Sequence, residues 1–153
     1  MKRTLLPLLA GLALLPNLAL AEIIGSVDTN FRLLSRDDDI VIEAFDDPKV
    51  EGVACHLSRA RKGGVKGSLG LAEDTSDASI ACRQIGPIKF DEQMKDKEAV
   101  FSQKTSLLFK TMQVVRFMDK KRNVLIYLVY SDKLVDGSPK NSISTVPVMP
   151  WNK

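Results

Sequence analysis

The chain has 153 residues, 44% of them hydrophobic and 27% charged, with a formal net charge of +3. That length can bury a real hydrophobic core, and so small a cationic excess argues against a nucleic-acid partner. One histidine and two cysteines exclude a His-rich zinc centre and would route any Ser-His-Asp or Cys-His mechanism through His56.

Met1-Lys2-Arg3 opens the chain, an apolar run follows over 5–15, and Pro16 leads to Ala19-Leu20-Ala21. This is a basic n-region, an h-region too short to span a bilayer comfortably, and an A-x-A cleavage site. It predicts a signal peptide over 1–21, cut between Ala21 and Glu22, and a single mature domain over 22–153. Lys2 and Arg3 leave with the leader, so the mature chain carries little net charge. No later apolar run approaches the length of a membrane span. The expected product is soluble and works in an oxidising compartment, where Cys55 and Cys82 can pair and stay paired.

Along the mature chain the dominant period is two. Residues 40–45, Ile-Val-Ile-Glu-Ala-Phe, suit a strand buried on both faces. Asp46-Asp47-Pro48-Lys49 is a turn signal. In 50–57 one face carries Val53, Cys55 and Leu57, and His56 points the other way. Residues 63–70 and 73–77 read as a long irregular middle. Residues 89–98 carry seven charges in ten and read as a solvated loop or short surface helix. Phe101, Leu108, Met112 and Val115 fit helical spacing. The stretch over 107–118 nonetheless reads as strand, because it lacks a cap and runs straight into the next apolar segment. Residues 113–118 and 124–130 flank the polar link 119–123, which predicts an antiparallel hairpin. The tail over 146–151 holds Pro147 and Pro150, cannot be helical, and is expected to lie extended on the body. The fold class is mainly β: one domain on an antiparallel sheet, a sandwich or partly open barrel, with at most short helices.

Cys55 and Cys82 each sit beside apolar neighbours, and no C-x-x-C spacing marks a reactive pair, so a structural disulfide is the favoured reading. The stretch 59–70 is the most site-like. Its cations Arg59, Arg61, Lys62 and Lys66 flank Gly63, Gly64 and Gly67, and glycine-rich turns let backbone N–H groups converge on an anion. It is neither a P-loop nor a G-x-S-x-G elbow, and a glycine-rich connection with solvated charges is the plainer account. Asp46, Asp47, Glu73, Asp74 and Asp77 supply carboxylates for general acid/base work or Ca²⁺, but they sit in turn- and cap-like contexts. His56 reads as a solvent-facing strand histidine.

The strings FDDPKVEGVACHLSRARKGGVKGSLGLAEDTSDASIACRQIGPI (45–88), QVVRFMDKKRNVLIYLVYSDKLVDGSPKNSIS (113–144) and VPVMPW (146–151) closely resemble the CreA family of bacterial exported proteins. The resemblance covers nearly all of the mature chain. It implies a Gram-negative periplasmic address and an operon shared with a two-component sensory system, and it brings no catalytic or binding residues with it.

The expected function is a non-catalytic periplasmic domain that binds a small anionic ligand or an envelope protein, with no cofactor and no metal. Arg59, Arg61, Lys62 and Lys66 would face the anion. Two alternatives come from other classes. One is a hydrolase pairing Asp46 with Asp74 or Asp77. The other is a structural or assembly role through a sheet edge or the Pro-rich tail.

Overall fold

The computed structural model describes residues 19–30, 38–61, 77–104, 111–132 and 139–152. These form eight strands: β1 (Glu22–Asn30), β2 (Asp38–Asp46), β3 (Val50–Arg61), β4 (Ala78–Phe90), β5 (Glu98–Lys104), β6 (Thr111–Asp119), β7 (Val124–Ser131) and β8 (Asn141–Pro147). Each half of the chain is an antiparallel meander. One sheet has the order β1-β2-β3-β4 and the other β5-β6-β7-β8. No helix occurs among the described residues. The sheets pack face to face as a β sandwich, and the barrel does not close.

Alternation of side chains across each strand builds the core. Phe45, Val53, Leu57 and Ile80 come from the first sheet. Val100, Phe101, Met112, Val114, Leu125, Tyr127 and Val129 come from the second. The rings of Phe45 and Phe101 stack with centroids 4.8 Å apart, tying β2 to β5. Cys55 and Cys82 stand directly opposite each other on β3 and β4, bonded and fully buried. The N–H of Cys82 donates outward to Ser144 Oγ at 2.8 Å. Such a cross-strand pair is of the non-hydrogen-bonded kind, which brings the two Cα atoms closest.

β4 and β8 run side by side in the same direction where the sheets meet. Lys140 reaches Asp77 at 2.5 Å, Ser144 holds Cys82, and Gln84 exchanges two hydrogen bonds with the main chain of Met149, at 2.9 and 3.2 Å. On the opposite seam, among the described residues, the Ala19 N–H donates to the carbonyl of Val100 at 3.0 Å.

The two ends of the sandwich differ. At one end the strands are joined by links 47–49, 91–97 and 120–123. Asp47 Oδ1 accepts the Lys49 N–H at 2.9 Å, an Asx turn, and Asn123 adopts φ 54° to close the β6–β7 hairpin. Gly52 at φ 81° makes a bulge in β3. A Cβ there would lie 2.4 Å from the carbonyl oxygen of Pro87, so only glycine fits. At the other end β1, β3, β5 and β7 finish and β2, β4, β6 and β8 begin. These two places are called the turn end and the loop end below.

The predicted β2–β3 turn, the inward face Val53–Cys55–Leu57 and the β6–β7 hairpin are all present. The tail runs extended beyond β8, with the Val148 N–H on the Asn123 carbonyl at 3.0 Å. The prediction that residues 40–45 are buried on both faces needs correction. Val41, Glu43 and Phe45 point inward and are buried, while Ile40 and Ile42 are 43% and 39% exposed. The second sheet covers one side of β2 only, and Glu43 is turned inward because an arginine on β3 meets it there.

Candidate functional site

Near the loop end the first sheet turns charges into the sandwich. Asp39 and Glu43 alternate with Val41 on β2, and Arg59 and Arg61 follow Leu57 on the same face of β3. Register places Glu43 opposite Leu57 and Asp39 opposite Arg61. Arg59 therefore reaches Glu43 diagonally, through Nε at 2.9 Å and Nη2 at 3.0 Å. Arg61 binds Asp39 in the same side-on manner, through Nε at 2.9 Å and Nη2. Glu43 and Asp39 are almost wholly buried, at 2% and 4% exposure. Side-on pairs are planar and bidentate, the strongest form of such contacts, yet they leave Nη1 of each guanidinium outside the pair. Gln103 on β5 joins from the other sheet, its Nε2 donating to Glu43 Oε1 at 3.2 Å. The Oε1 of Gln103 is buried without a partner among the described residues.

At the turn end a second polar group is buried more deeply. Arg116 on β6, 1% exposed, donates through Nη1 to both oxygens of Asp47 at 2.5 and 2.8 Å. Its Nη2 donates to Glu98 at 2.8 Å. The Tyr127 hydroxyl donates to Asp47 Oδ2 at 2.9 Å, and Lys49 Nζ donates to Glu98 Oε1 at 2.5 Å. Burial is the largest influence on Glu98 and opposes its charge. The hydrogen bond from Lys49, that from the Lys95 N–H and the charges of Lys49 and Arg116 together outweigh it, so the Glu98 pKa lies below the usual 4.5. Burial first, then the charge and hydrogen bond of Asp47, hold the Tyr127 phenol protonated well above its ordinary 10.0. Asp47, Arg116 and Tyr127 lie out of reach of solvent and are fully partnered, which is the arrangement of an anchor between sheets.

The sequence candidates fall as follows. Cys55 and Cys82 are joined. Arg59 and Arg61 sit at the loop end, each on a carboxylate. Lys62, Gly63, Gly64, Lys66 and Gly67 lie outside the described residues, as do Glu73 and Asp74. Asp46 and Asp77 are not brought together: Ala54 links Asp46 to Arg83 in register, and Asp77, immediately before β4, precedes Arg83 by six residues. That is about 20 Å along the strand. Asp77 is instead paired with Lys140. His56 is exposed on the outer face, as expected. No group of three or more His, Cys, Asp or Glu able to hold a metal occurs among the described residues, and no helix among them is long and apolar enough to cross a membrane.

The Asp47–Arg116–Tyr127 cluster escaped the sequence reading, although a signal for it exists. Arg116 continues the inward set Met112, Val114, and an arginine at an inward position demands a buried acid.

The family description "CreA protein" matches residues 24–151. Protein CreA of Escherichia coli strain K12 is 58% identical over 157 aligned positions covering 100% of each chain. The proteins of the same name from Escherichia coli O6:H1 and O157:H7 match to the same extent. No solved structure matches. With a family match across nearly the whole β sandwich and relatives this close end to end, the chain belongs to the CreA family.

Proposed function

We propose that this is an exported periplasmic protein that binds rather than catalyses, and that it binds an anionic ligand or partner group at the loop end. One observation carries this reading: the paired arginines Arg59 and Arg61 at the root of the 62–77 connection, each with an Nη1 donor outside its carboxylate pair. Burying such pairs brings little net stability against apolar replacements, so their presence fits a role in recognition. An anion held by Nη1 of either arginine would meet a guanidinium whose plane its carboxylate partner fixes, and Lys62 and Lys66 follow it in the sequence. The address rests on the leader, and β1 begins at Glu22, so cleavage after Ala21 would remove no strand.

The test is a thermal-shift screen of small anions on the processed protein, followed by titration calorimetry of any hit. Arg61→Ala with Lys62→Ala should weaken the hit, and added salt should weaken it further, because exposed charges are screened. A hit whose affinity ignores both substitutions and salt would remove this site from consideration.

A further inference from the structure

Beside the arginines at the loop end stands a buried acceptor. Gln103 on β5 donates its Nε2 to Glu43 Oε1 at 3.2 Å, and its own Oε1 is buried with no partner among the described residues. Buried polar atoms are nearly always hydrogen-bonded, and one left unpaired carries its full desolvation cost. The amide cannot turn over to relieve this. Its oxygen would then face the Glu43 carboxylate, acceptor against acceptor. Arg59 holds the same carboxylate, through Nε at 2.9 Å on one oxygen and Nη2 at 3.0 Å on the other. Arg59 Nη2 and Gln103 Nε2 thus meet on one oxygen, Glu43 Oε1. Arg59 Nη1 and Gln103 Oε1 each lie one carbon beyond those donors. One carboxylate, 2% exposed, therefore fixes a donor from β3 and an acceptor from β5 at the same place between the sheets.

Taking the anion site proposed above, we infer that its ligand is an anion that also brings a hydroxyl donor: a hydrogen phosphate group or a hydroxy acid, not a fully deprotonated anion such as sulfate. An anionic oxygen of the ligand takes the Nη1 donor of Arg59. The hydroxyl of the same molecule donates to Gln103 Oε1 and pairs the buried acceptor. Sulfate has the shape of phosphate but only acceptors, so it would set an anionic oxygen against Gln103 Oε1. A site built around a hydrogen bond to a ligand hydroxyl rejects the analogue that lacks it far more strongly than an apolar pocket rejects a missing methylene.

Titration calorimetry of the processed, disulfide-intact protein, at neutral pH and fixed ionic strength, tests this with two matched pairs: inorganic phosphate against sulfate, and glycolate against acetate. In at least one pair the donor-bearing member should bind at least tenfold more tightly than the other. A preference in the first pair identifies a phosphoryl group, and one in the second a hydroxy acid. Gln103→Met keeps the length of the side chain and removes the acceptor, so it should erase the preference. A merely structural role for Gln103 would instead weaken both members of a pair alike. Equal affinities within both pairs would overturn the donor requirement and leave the anion site standing. Binding of none of the four would remove the site and the donor requirement together. A preference that survives Gln103→Met, in a variant shown to be folded by circular dichroism, would also overturn it. Should that variant not fold, the two pairs on the unaltered protein decide by themselves.

Discussion

In the middle of an otherwise apolar inward row, Arg116 is the residue whose removal the fold should feel most. It holds Asp47 and Glu98 from opposite sides of its guanidinium, and Asp47 also carries the Tyr127 hydroxyl. Arg116→Met would leave a buried carboxylate without its counter-charge, a loss of about 3–5 kcal/mol visible in urea denaturation. Tyr127→Phe deletes one hydrogen bond to a charged acceptor and should cost about 1.5–3 kcal/mol. The pH dependence follows from the direction of each shift. Glu98 has a folded pKa below its ordinary 4.5, so it contributes stability above that value and loses it as acid drives the pH down through the folded pKa. Glu98→Gln should therefore flatten the acid limb of a stability–pH curve while lowering its neutral plateau; an unchanged acid limb would show that Glu98 is not among the groups responsible. Tyr127 works in the other direction. Its folded pKa lies above its ordinary 10.0, so its contribution is intact below that pH and fades as the pH rises past it.

At the scale of the strand, β3 and β4 show what a sequence can and cannot disclose. The pair carries the disulfide in register and the Gly52 bulge against Pro87. Gly52→Ala would force a side chain into a positive-φ position and onto a carbonyl, a strain of about 1–3 kcal/mol. Its urea midpoint should fall accordingly, with the denaturant slope unchanged. Replacing both cysteines by alanine opens a cross-link with a sequence separation of 27. In the chain-entropy account that is worth about 3.5 kcal/mol, so the melting temperature should fall while a cooperative transition remains. The disulfide was legible because both cysteines sit among alternating apolar residues, and the β6–β7 hairpin because its two runs flank a short polar link. β1 was not legible: all its large apolar residues are exposed, so it has no buried period to read. β2 was misread as buried on both faces because isoleucine is ordinarily an inside residue and glutamate an outside one. Only the arginine two strand positions beyond Leu57 reverses that assignment, and such a partner is visible in register, not in local pattern. The same holds at the candidate site: Arg59 and Arg61 could be named from the sequence, but their carboxylates, Glu43 and Asp39, required the β2–β3 pairing.

At the scale of the whole molecule, two meanders share one core, and each junction between them carries a different risk. The β4–β8 seam is closed by Ser144, Lys140 and Gln84 at three heights. The β1–β5 side has, among the described residues, the Ala19 to Val100 hydrogen bond, and Ala19 and Ala21 pack partly on the core. Cleavage after Ala21 would take that hydrogen bond and that packing away while leaving β1 paired along β2. The processed chain should therefore keep its eight strands and melt only slightly below a chain that retains its leader. Amide exchange should then show β1 and the Val100 end of β5 opening most readily, with free energies well under the global value, while Cys82 and Tyr127 exchange only through global unfolding. If the chain is exported as proposed, mass spectrometry of the exported protein should find a chain that starts at Glu22. If the mature chain instead began upstream of Ala19, the seam would keep its hydrogen bond and β1 would be protected like its neighbours. The two measurements thus check each other: the site of cleavage sets which side of the sandwich is free to open.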